Sequence, residues 1–220
     1  TCFVVVLGRS SKLFALVCGV PQGSVLGPKL FILYTGDLES LVHTAGFNYH
    51  SYADDTQLYK QCASTQHQVA NVSASFTSCF TAILQWMQIN RLELNPDKTE
   101  CIWLHSSRCD LQSFPDLVVG ASVICPAEHI RVLGVWIDQH LKFDHQIALV
   151  SKSCYYQLRQ LKSVVKILDR STICSLLQAF LSMRLDYCNA LYFGLPIFRI
   201  SQLQRIQNSA APSVQSCQET

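Results

Sequence analysis

The chain has 220 residues, of which 49% are hydrophobic, 15% are charged and 11 are cysteines. This apolar composition excludes intrinsic disorder for most of the chain and is sufficient for one large domain or two small ones. No run reaches the length of about 18 apolar residues that a membrane span requires, so we expect no membrane partner. The odd cysteine count and the lack of any C-x-x-C spacing give no support to a zinc ribbon or a disulfide framework.

The first part of the chain predicts two strand pairs separated by a helix. Apolar runs at 2–7 and 13–17 flank residues 8–11, whose Gly-Arg-Ser-Ser sequence is typical of a turn. The loop 19–24 leads to Ser24, which is predicted to cap a helix that continues to about Val42. Two short strands, 47–53 and 56–59, are predicted to join at Asp54 and Asp55.

The middle of the chain predicts one long helix followed by strands. Apolar residues recur at helical spacing from Val69 to about Asn90. Residues 95–97 read Asn-Pro-Asp, which indicates a turn, and strands are predicted at 99–104, 117–119 and 130–137. Strands that follow one another in this way are expected to pair antiparallel.

Beyond residue 140 the pattern changes to helices and the charge becomes basic. Residues 1–141 contain 8 Lys and Arg against 11 Asp and Glu, whereas residues 142–210 contain 9 against 3. Four of these cations fall on one face of the predicted helices: Lys152, Arg159, Lys162 and Lys166. A basic helix face suits a polyanion such as nucleic acid, although charge alone favours an ordinary solvated helix face.

The predicted fold class is therefore α+β, with an antiparallel sheet and packed helices first and an all-helical segment afterwards. We expect a first domain over 1–140, a helical region over 141–211 and a short tail over 212–220. The chain begins with neither an initiator methionine nor a signal peptide, which favours a segment of a longer protein in the cytoplasm or nucleus.

Tyr52-Ala53-Asp54-Asp55 places two carboxylates together at a predicted turn. Adjacent carboxylates repel each other unless a cation lies between them. Aspartates are also common as plain turn formers, so the tetrapeptide alone leaves both interpretations open. A divalent metal is the functional alternative, because Mg²⁺ prefers carboxylate oxygens together with substrate phosphates. Phosphoryl transfer commonly uses two such ions.

A second motif, Gly-Val-Pro-Gln-Gly-Ser-Val-Leu-Gly-Pro, precedes this turn at residues 19–28. Its glycines and prolines shape a loop with little side chain to hinder a ligand. Such a loop can offer backbone N–H groups and the Gln22 amide to a nucleotide, but an ordinary helix start would have the same composition. The order and spacing of the two motifs together are more specific than either motif alone.

These residues resemble the reverse transcriptase of LINE-type (non-LTR) retrotransposons. GVPQGSVLGP resembles motif B of that family, and YADD resembles motif C. LELNPDKTE at 92–100 is similar to motif D, and VLGVWID at 132–138 is similar to motif E, the primer grip. RLDYCNALYFGLP at 184–196 and LQRIQNSAA at 203–211 look like the helical region that follows the polymerase palm.

The resemblance implies a polymerase palm followed by a thumb, with Mg²⁺ or Mn²⁺ as cofactor. Its implied partners are an RNA template, a DNA primer and deoxynucleoside triphosphates. Asp54 matches the metal-binding aspartate and Asp55 its neighbour, while Lys98 falls where motif D places a candidate general acid.

The remaining motifs imply nucleotide and nucleic-acid contacts. The loop and the hairpin would contact the nucleotide, the template or the primer end through Pro21, Gln22, Gly23, Ser24 and Tyr52. Leu133 and Gly134 match the primer grip. The basic residues Lys152, Arg159, Lys162 and Lys166 would follow the nucleic-acid backbone.

The chain departs from the family pattern in one important respect. The family's motif A aspartate lies upstream of motif B, but no Asp or Glu precedes Asp37. Asp37 itself follows motif B and is a poor substitute. We therefore expect a reverse transcriptase fragment that lacks fingers and motif A and is inactive alone. A non-catalytic nucleic-acid-binding module and a non-functional element remnant remain as alternatives.

Overall fold

The structure is a computed structural model that describes residues 5–12, 23–109, 111 and 113–215. These residues form two compact units. The first contains the described residues up to Thr99 together with Pro115–Ile124, and the second contains the remainder. Neither unit begins or ends at residue 140. The predicted boundary between palm and thumb at that residue stays a prediction.

The first unit is built from short hairpins around one long helix. Its strands pair antiparallel in successive hairpins. In chain order, its strands and helices are β1 (Val5–Val6), β2 (Arg9–Ser10), α1 (Gly27–Tyr34), α2 (Gly36–Thr44), β3 (Asn48–Tyr52), β4 (Asp55–Tyr59), α3 (Gln66–Ile89), β5 (Leu117–Val119) and β6 (Ser122–Ile124). A single 3₁₀ turn covers Pro96–Lys98.

Helix α3 provides the centre of the first unit's core. Thr65 caps its start by accepting a hydrogen bond from the Gln68 N–H, as expected for a threonine with extended backbone at this position. Its buried apolar face includes Val69 and Ile83. This face was predicted from the 3.6-residue period, and the structure confirms it.

The second unit consists of one hairpin and a helical array. It contains β7 (His129–Val132), β8 (Val135–Asp138), α4 (Asp144–Val164), α5 (Arg170–Leu177), α6 (Met183–Asp186) and α7 (Ile197–Gln215). A π-helical turn, Gln178–Ser182, links α5 to α6. Among the described helices of both units, none is long and apolar enough to cross a membrane.

The helices of the second unit pack through apolar side chains that are almost fully buried. Leu158 of α4, Leu181 of the π-helical turn and Ile206 of α7 belong to one cluster. Ile147 and Phe143, at the start of α4, form a second cluster with Val135 of β8. The predicted helical stripe from 147 to 165 is therefore confirmed, and its residues pack against the hairpin and against the other helices in separate clusters.

The helix predicted from Ser24 to Val42 is wrong in two details. It is divided into α1 and α2 at Thr35, where the backbone leaves the helical region (φ −97°, ψ 3°). The Thr35 hydroxyl donates a hydrogen bond to the Phe31 carbonyl at 2.9 Å. Ser24 does not cap α1, which starts at Gly27 after Leu26; instead its carbonyl accepts a hydrogen bond from the Gly27 N–H at 3.2 Å.

Several predicted strands also differ from the structure. The run 130–137 is a hairpin with its turn at Leu133-Gly134, and 99–104 forms only an isolated bridge from Cys101 to Pro126. Strand β6 was not predicted. The first hairpin turns at Leu7-Gly8 and pairs Val5–Val6 with Arg9–Ser10, whereas the predicted partner run 13–17 lies outside the described residues. The antiparallel pairing of successive strands is confirmed.

Candidate active-site hairpin and basic helix

The YADD segment forms the tip of the β3–β4 hairpin. Tyr52 pairs with Asp55 and Ser51 pairs with Thr56, so Ala53 and Asp54 are the two turn residues. The turn was predicted one residue later, at Asp54-Asp55. Ala53 has a φ of +55°, which is uncommon for a residue with a side chain and costs about 1 kcal/mol. The strand register thus places Asp54 in the turn and Asp55 at the start of β4.

Both carboxylates of the hairpin tip are accessible to solvent. Asp54 and Asp55 are exposed, and neither forms an ion pair with another described residue. Tyr52 is also exposed, at 65% of its surface. Two adjacent carboxylates without a protein cation are suitable oxygen donors for a hard divalent ion. Within the described ranges, no group of three or more His, Cys, Asp or Glu side chains could hold a metal.

The loop that precedes α1 is described only from Gly23 onward. Gly23 has a φ of +84°, and a Cβ built on it would meet no atom within 4 Å. Ser24 is partly buried. Pro21 and Gln22, the other two residues predicted for this loop, lie outside the described residues, so their role stays a prediction.

Lys98 ends the Pro96–Lys98 turn and is exposed. No ion pair joins it to Asp54 or Asp55. The adjoining motif D segment lines a cleft of about 640 Å³ between the end of α3 and the β5–β6 hairpin. Arg91 and Glu93 contribute charges to this cleft, but Lys98 and the hairpin-tip aspartates are not among its lining residues.

Leu133 and Gly134 form the turn of the β7–β8 hairpin in the second unit. Their φ angles are +46° and +87°, which is the combination expected for a two-residue type I′ turn. The Tyr187 hydroxyl donates a hydrogen bond to the Leu133 carbonyl at 2.6 Å, so the tip is held by a helix end of the same unit. Leu133 is 36% exposed and Gly134 is exposed, which leaves the turn accessible.

Asp138, the last residue of β8, organises the connection to α4. Its carboxylate accepts hydrogen bonds from the backbone N–H groups of His140 at 3.0 Å, Lys142 at 3.0 Å and Phe143 at 2.6 Å. Burial raises the pKa of the carboxyl, but the hydrogen bonds from Lys142, Phe143 and His140 outweigh burial and hold the pKa below its ordinary value. Asp138 therefore accepts the hydrogen bonds of a loop in which Leu141 and Phe143 both have left-handed backbone conformations.

The four predicted cations lie at the surface of the second unit. Lys152, Arg159 and Lys162 are exposed on α4, and Lys166 is exposed on the 3₁₀ turn that follows. In the described part of the chain, none of the four forms an ion pair; the pairs there are His43 with Glu39 and Arg199 with Asp144. The only acid on α4 is Asp144, in its first turn. The outer face of this helix therefore carries uncompensated positive charge.

Sequence reasoning missed three residues that the structure makes relevant. Tyr187 bonds the turn before β8, and its partner Leu133 is distant in the sequence. Asp138 bonds the loop after β8, which has no regular secondary structure. Tyr156 is 52% exposed between Lys152 and Arg159 on α4. Only Tyr156 had a signal in the sequence, namely its spacing of four and three residues from the two cations.

Comparison with known proteins places the chain in a family. The family model described as "Reverse transcriptase (RNA-dependent DNA polymerase)" matches residues 1–137. A "Probable RNA-directed DNA polymerase from transposon BS" of Drosophila melanogaster is 26% identical over 216 residues, which cover 90% of this chain and 22% of that protein. The "RNA-directed DNA polymerase from mobile element jockey" of the same species is 21% identical over 206 residues, covering 91% and 21%. No solved structure matches significantly.

The chain belongs to the reverse transcriptase family. Its similarity to polymerases named for a transposon and a mobile element supports the LINE-type (non-LTR) branch that the motifs resemble. The chain spans about a fifth of the length of these relatives.

Proposed function

We propose that this chain is the palm and thumb segment of an RNA-directed DNA polymerase, which extends a DNA primer on an RNA template with deoxynucleoside triphosphates. The observation that carries this proposal is the exposed pair of carboxylates at the β3–β4 tip, within a chain that matches the reverse transcriptase family. A location in the cytoplasm or nucleus is consistent with such substrates.

In this proposal Asp54 and Asp55 hold Mg²⁺ or Mn²⁺. When bound, the ion supplies activation of the attacking primer oxygen and stabilisation of the pyrophosphate that leaves. The hairpin turn keeps the two carboxylates side by side at the tip. Gln22, Gly23 and Ser24 orient the incoming nucleotide and template. Tyr52 lies beside the primer end, and Leu133 and Gly134 support the primer strand. Lys98 donates a proton to the leaving pyrophosphate.

The segment is incomplete as a catalyst in this account. A two-metal site needs carboxylates on both sides of the reacting phosphate. The described residues bring Asp54 and Asp55 together with no third metal-ligating side chain, and Asp37 is on α2 rather than on the hairpin. We therefore propose that an upstream segment of a longer polypeptide supplies the missing acid.

We expect the chain alone to incorporate no detectable deoxynucleotide on a primed RNA template with Mg²⁺ or Mn²⁺. Extension of a labelled primer, resolved on a denaturing gel, measures this, and a complete retroviral-type reverse transcriptase serves as positive control. Robust Mg²⁺-dependent extension that Asp54→Asn abolishes would show that the chain contains its own third ligand, which would contradict the proposed incompleteness.

A non-catalytic nucleic-acid-binding function is the second candidate, and the four unpaired cations of α4 and of the 3₁₀ turn that follows it favour it. Each phosphate contact contributes about −0.9 to the slope of log K against log salt concentration, so four contacts give a slope of about −3.6 on duplex DNA. We expect replacement of Lys152 and Arg159 by alanine to reduce this slope by about 2.

Fluorescence anisotropy with a labelled duplex at several salt concentrations measures the slope. Lys29→Ala, which removes an exposed cation from α1, is the matched control and should leave the slope unchanged. The binding should also survive loss of both Asp54 and Asp55. An affinity that is the same at low and high salt would refute the role of these cations.

A further inference from the structure

The two neighbouring tyrosines of α4 have different environments. Tyr155 is partly buried and packs against the cluster that contains Leu158 and Ile206. Tyr156 does not belong to this cluster and is 52% exposed. In the described part of the chain its hydroxyl forms no hydrogen bond and its ring contacts no other aromatic ring. About half of its surface is thus accessible to a ligand.

Cations flank the Tyr156 ring along the helix on both sides. Residues that are three or four positions apart share one helix face, with Cβ atoms about 5–6 Å apart. Lys152 precedes Tyr156 by four positions and Arg159 follows it by three, and both are exposed. The rise of about 1.5 Å per residue separates the two cations by about 10 Å along the axis. The surface is therefore a stripe of cation, aromatic ring and cation.

Cations on a helix face can be paired with acids one turn away, and those of α4 are not. Beyond Asp144 the helix has no Asp or Glu, and the position between the two cations is occupied by an aromatic side chain. Phosphates fit the two cations, whereas the ring offers a flat apolar surface of the size of a base. In a duplex the bases are stacked on each other, so only an unpaired base exposes a face to the ring.

We propose that Tyr156 stacks on an unpaired base and that Lys152, Tyr156 and Arg159 together form a contact for single-stranded nucleic acid. The two cations hold neighbouring phosphates and the ring holds a base between them. This inference rests on the proposed nucleic-acid binding by α4 and adds to its phosphate contacts a base contact that only a single strand offers. The contact reads no sequence, because every base has a face that can stack.

The test separates the contribution of the bases from that of the phosphates. The 220-residue chain is titrated into labelled oligo(dT), into oligo(U) and into an abasic oligonucleotide of equal length and charge. We expect wild type to bind oligo(dT) and oligo(U) about ten-fold more tightly than the abasic strand, within the range measured for base stacking on aromatic residues. Tyr156→Ala should remove this preference and leave the affinity for the abasic strand within about two-fold.

Further variants make the result specific to the ring. Tyr156→Phe keeps an aromatic face and should retain the preference, whereas Tyr156→Leu should lose most of it. Phe193→Ala removes an aromatic side chain that is 95% exposed and has no flanking cation, and it should change neither affinity. Lys152→Ala should weaken binding to all three strands by the same factor. Circular dichroism checks that each variant keeps its helices.

The inference is overturned if wild type binds the abasic strand as tightly as oligo(dT), or if Tyr156→Ala weakens both equally. If binding still depends steeply on salt when either result is obtained, only the stacking contact is refuted and the proposed role of the cations stands. If Lys152→Ala has no effect on any strand and salt does not matter, the proposed nucleic-acid binding by α4 fails, and the stacking contact fails with it.

Discussion

Replacing Asp138 by alanine is expected to lower the free energy of unfolding of the second unit by about 2–3 kcal/mol. The carboxylate accepts three backbone hydrogen bonds, and hydrogen bonds to a charged acceptor are stronger than those between neutral groups. Without the carboxylate, the N–H groups of Lys142 and Phe143 lose their acceptor at the point where β8 passes into α4. Phe143 is buried in the core beside Ile147, so the loop cannot simply move into solvent.

The contribution of Asp138 should depend on pH in a defined direction. Because the pKa of the carboxyl is lowered in the folded protein, its stabilising effect is complete at neutral pH. The effect begins to fall when pH drops into the ordinary range of an aspartate and disappears only below the lowered folded value. The difference in unfolding free energy between wild type and Asp138→Ala should therefore shrink as the pH is lowered.

Urea denaturation followed by far-ultraviolet circular dichroism measures this difference at each pH. Asp186→Ala, which removes an exposed aspartate near the end of α6, is the matched control and should change stability by no more than about 0.5 kcal/mol. A loss for Asp138→Ala that is as small as that of the control, or that grows at low pH, would disagree with the proposed role of the carboxylate.

Long periodic elements were predictable from the sequence, whereas turns that depend on individual backbone angles were not. The apolar stripe of α3 marks one buried face over about six turns. The helix itself begins only three residues before Val69, where the stripe begins. The run 130–137 has strand propensity throughout, and only Gly134 signals its turn. The type I′ turn there also needs a left-handed Leu133, which no propensity favours.

The part of the candidate site whose residues are neighbours in the sequence was predictable. Asp54 and Asp55 are neighbours in the chain, so their association needs no tertiary structure, and the hairpin signal around them is local. Their exact register depends on Ala53 adopting a positive φ, which moves the turn by one residue. Asp138 could not be assigned its role from sequence, because its three donors converge only through the left-handed backbone of Leu141 and Phe143.

The proposed metal site at the hairpin tip should depend almost entirely on Asp54 and Asp55. Mg²⁺ and Mn²⁺ are usually held by one or two carboxylates together with substrate phosphates, so a nucleotide should strengthen binding at the tip. Asp54→Asn removes one of the two charges with little change in shape. We expect this single substitution to abolish specific metal binding there. Asp37→Asn, which alters an exposed aspartate of α2, is the matched control and should have no effect.

Paramagnetic broadening of backbone amide signals during a Mn²⁺ titration, in the presence of deoxythymidine triphosphate, measures this binding residue by residue. The account predicts that the signals of Ala53, Asp54 and Asp55 broaden before those around Asp37, and that Asp54→Asn removes this selectivity. If the tip signals broaden no earlier than those of other exposed aspartates, or if Asp54→Asn leaves the pattern unchanged, the hairpin does not hold the metal and the polymerase assignment of this site is wrong.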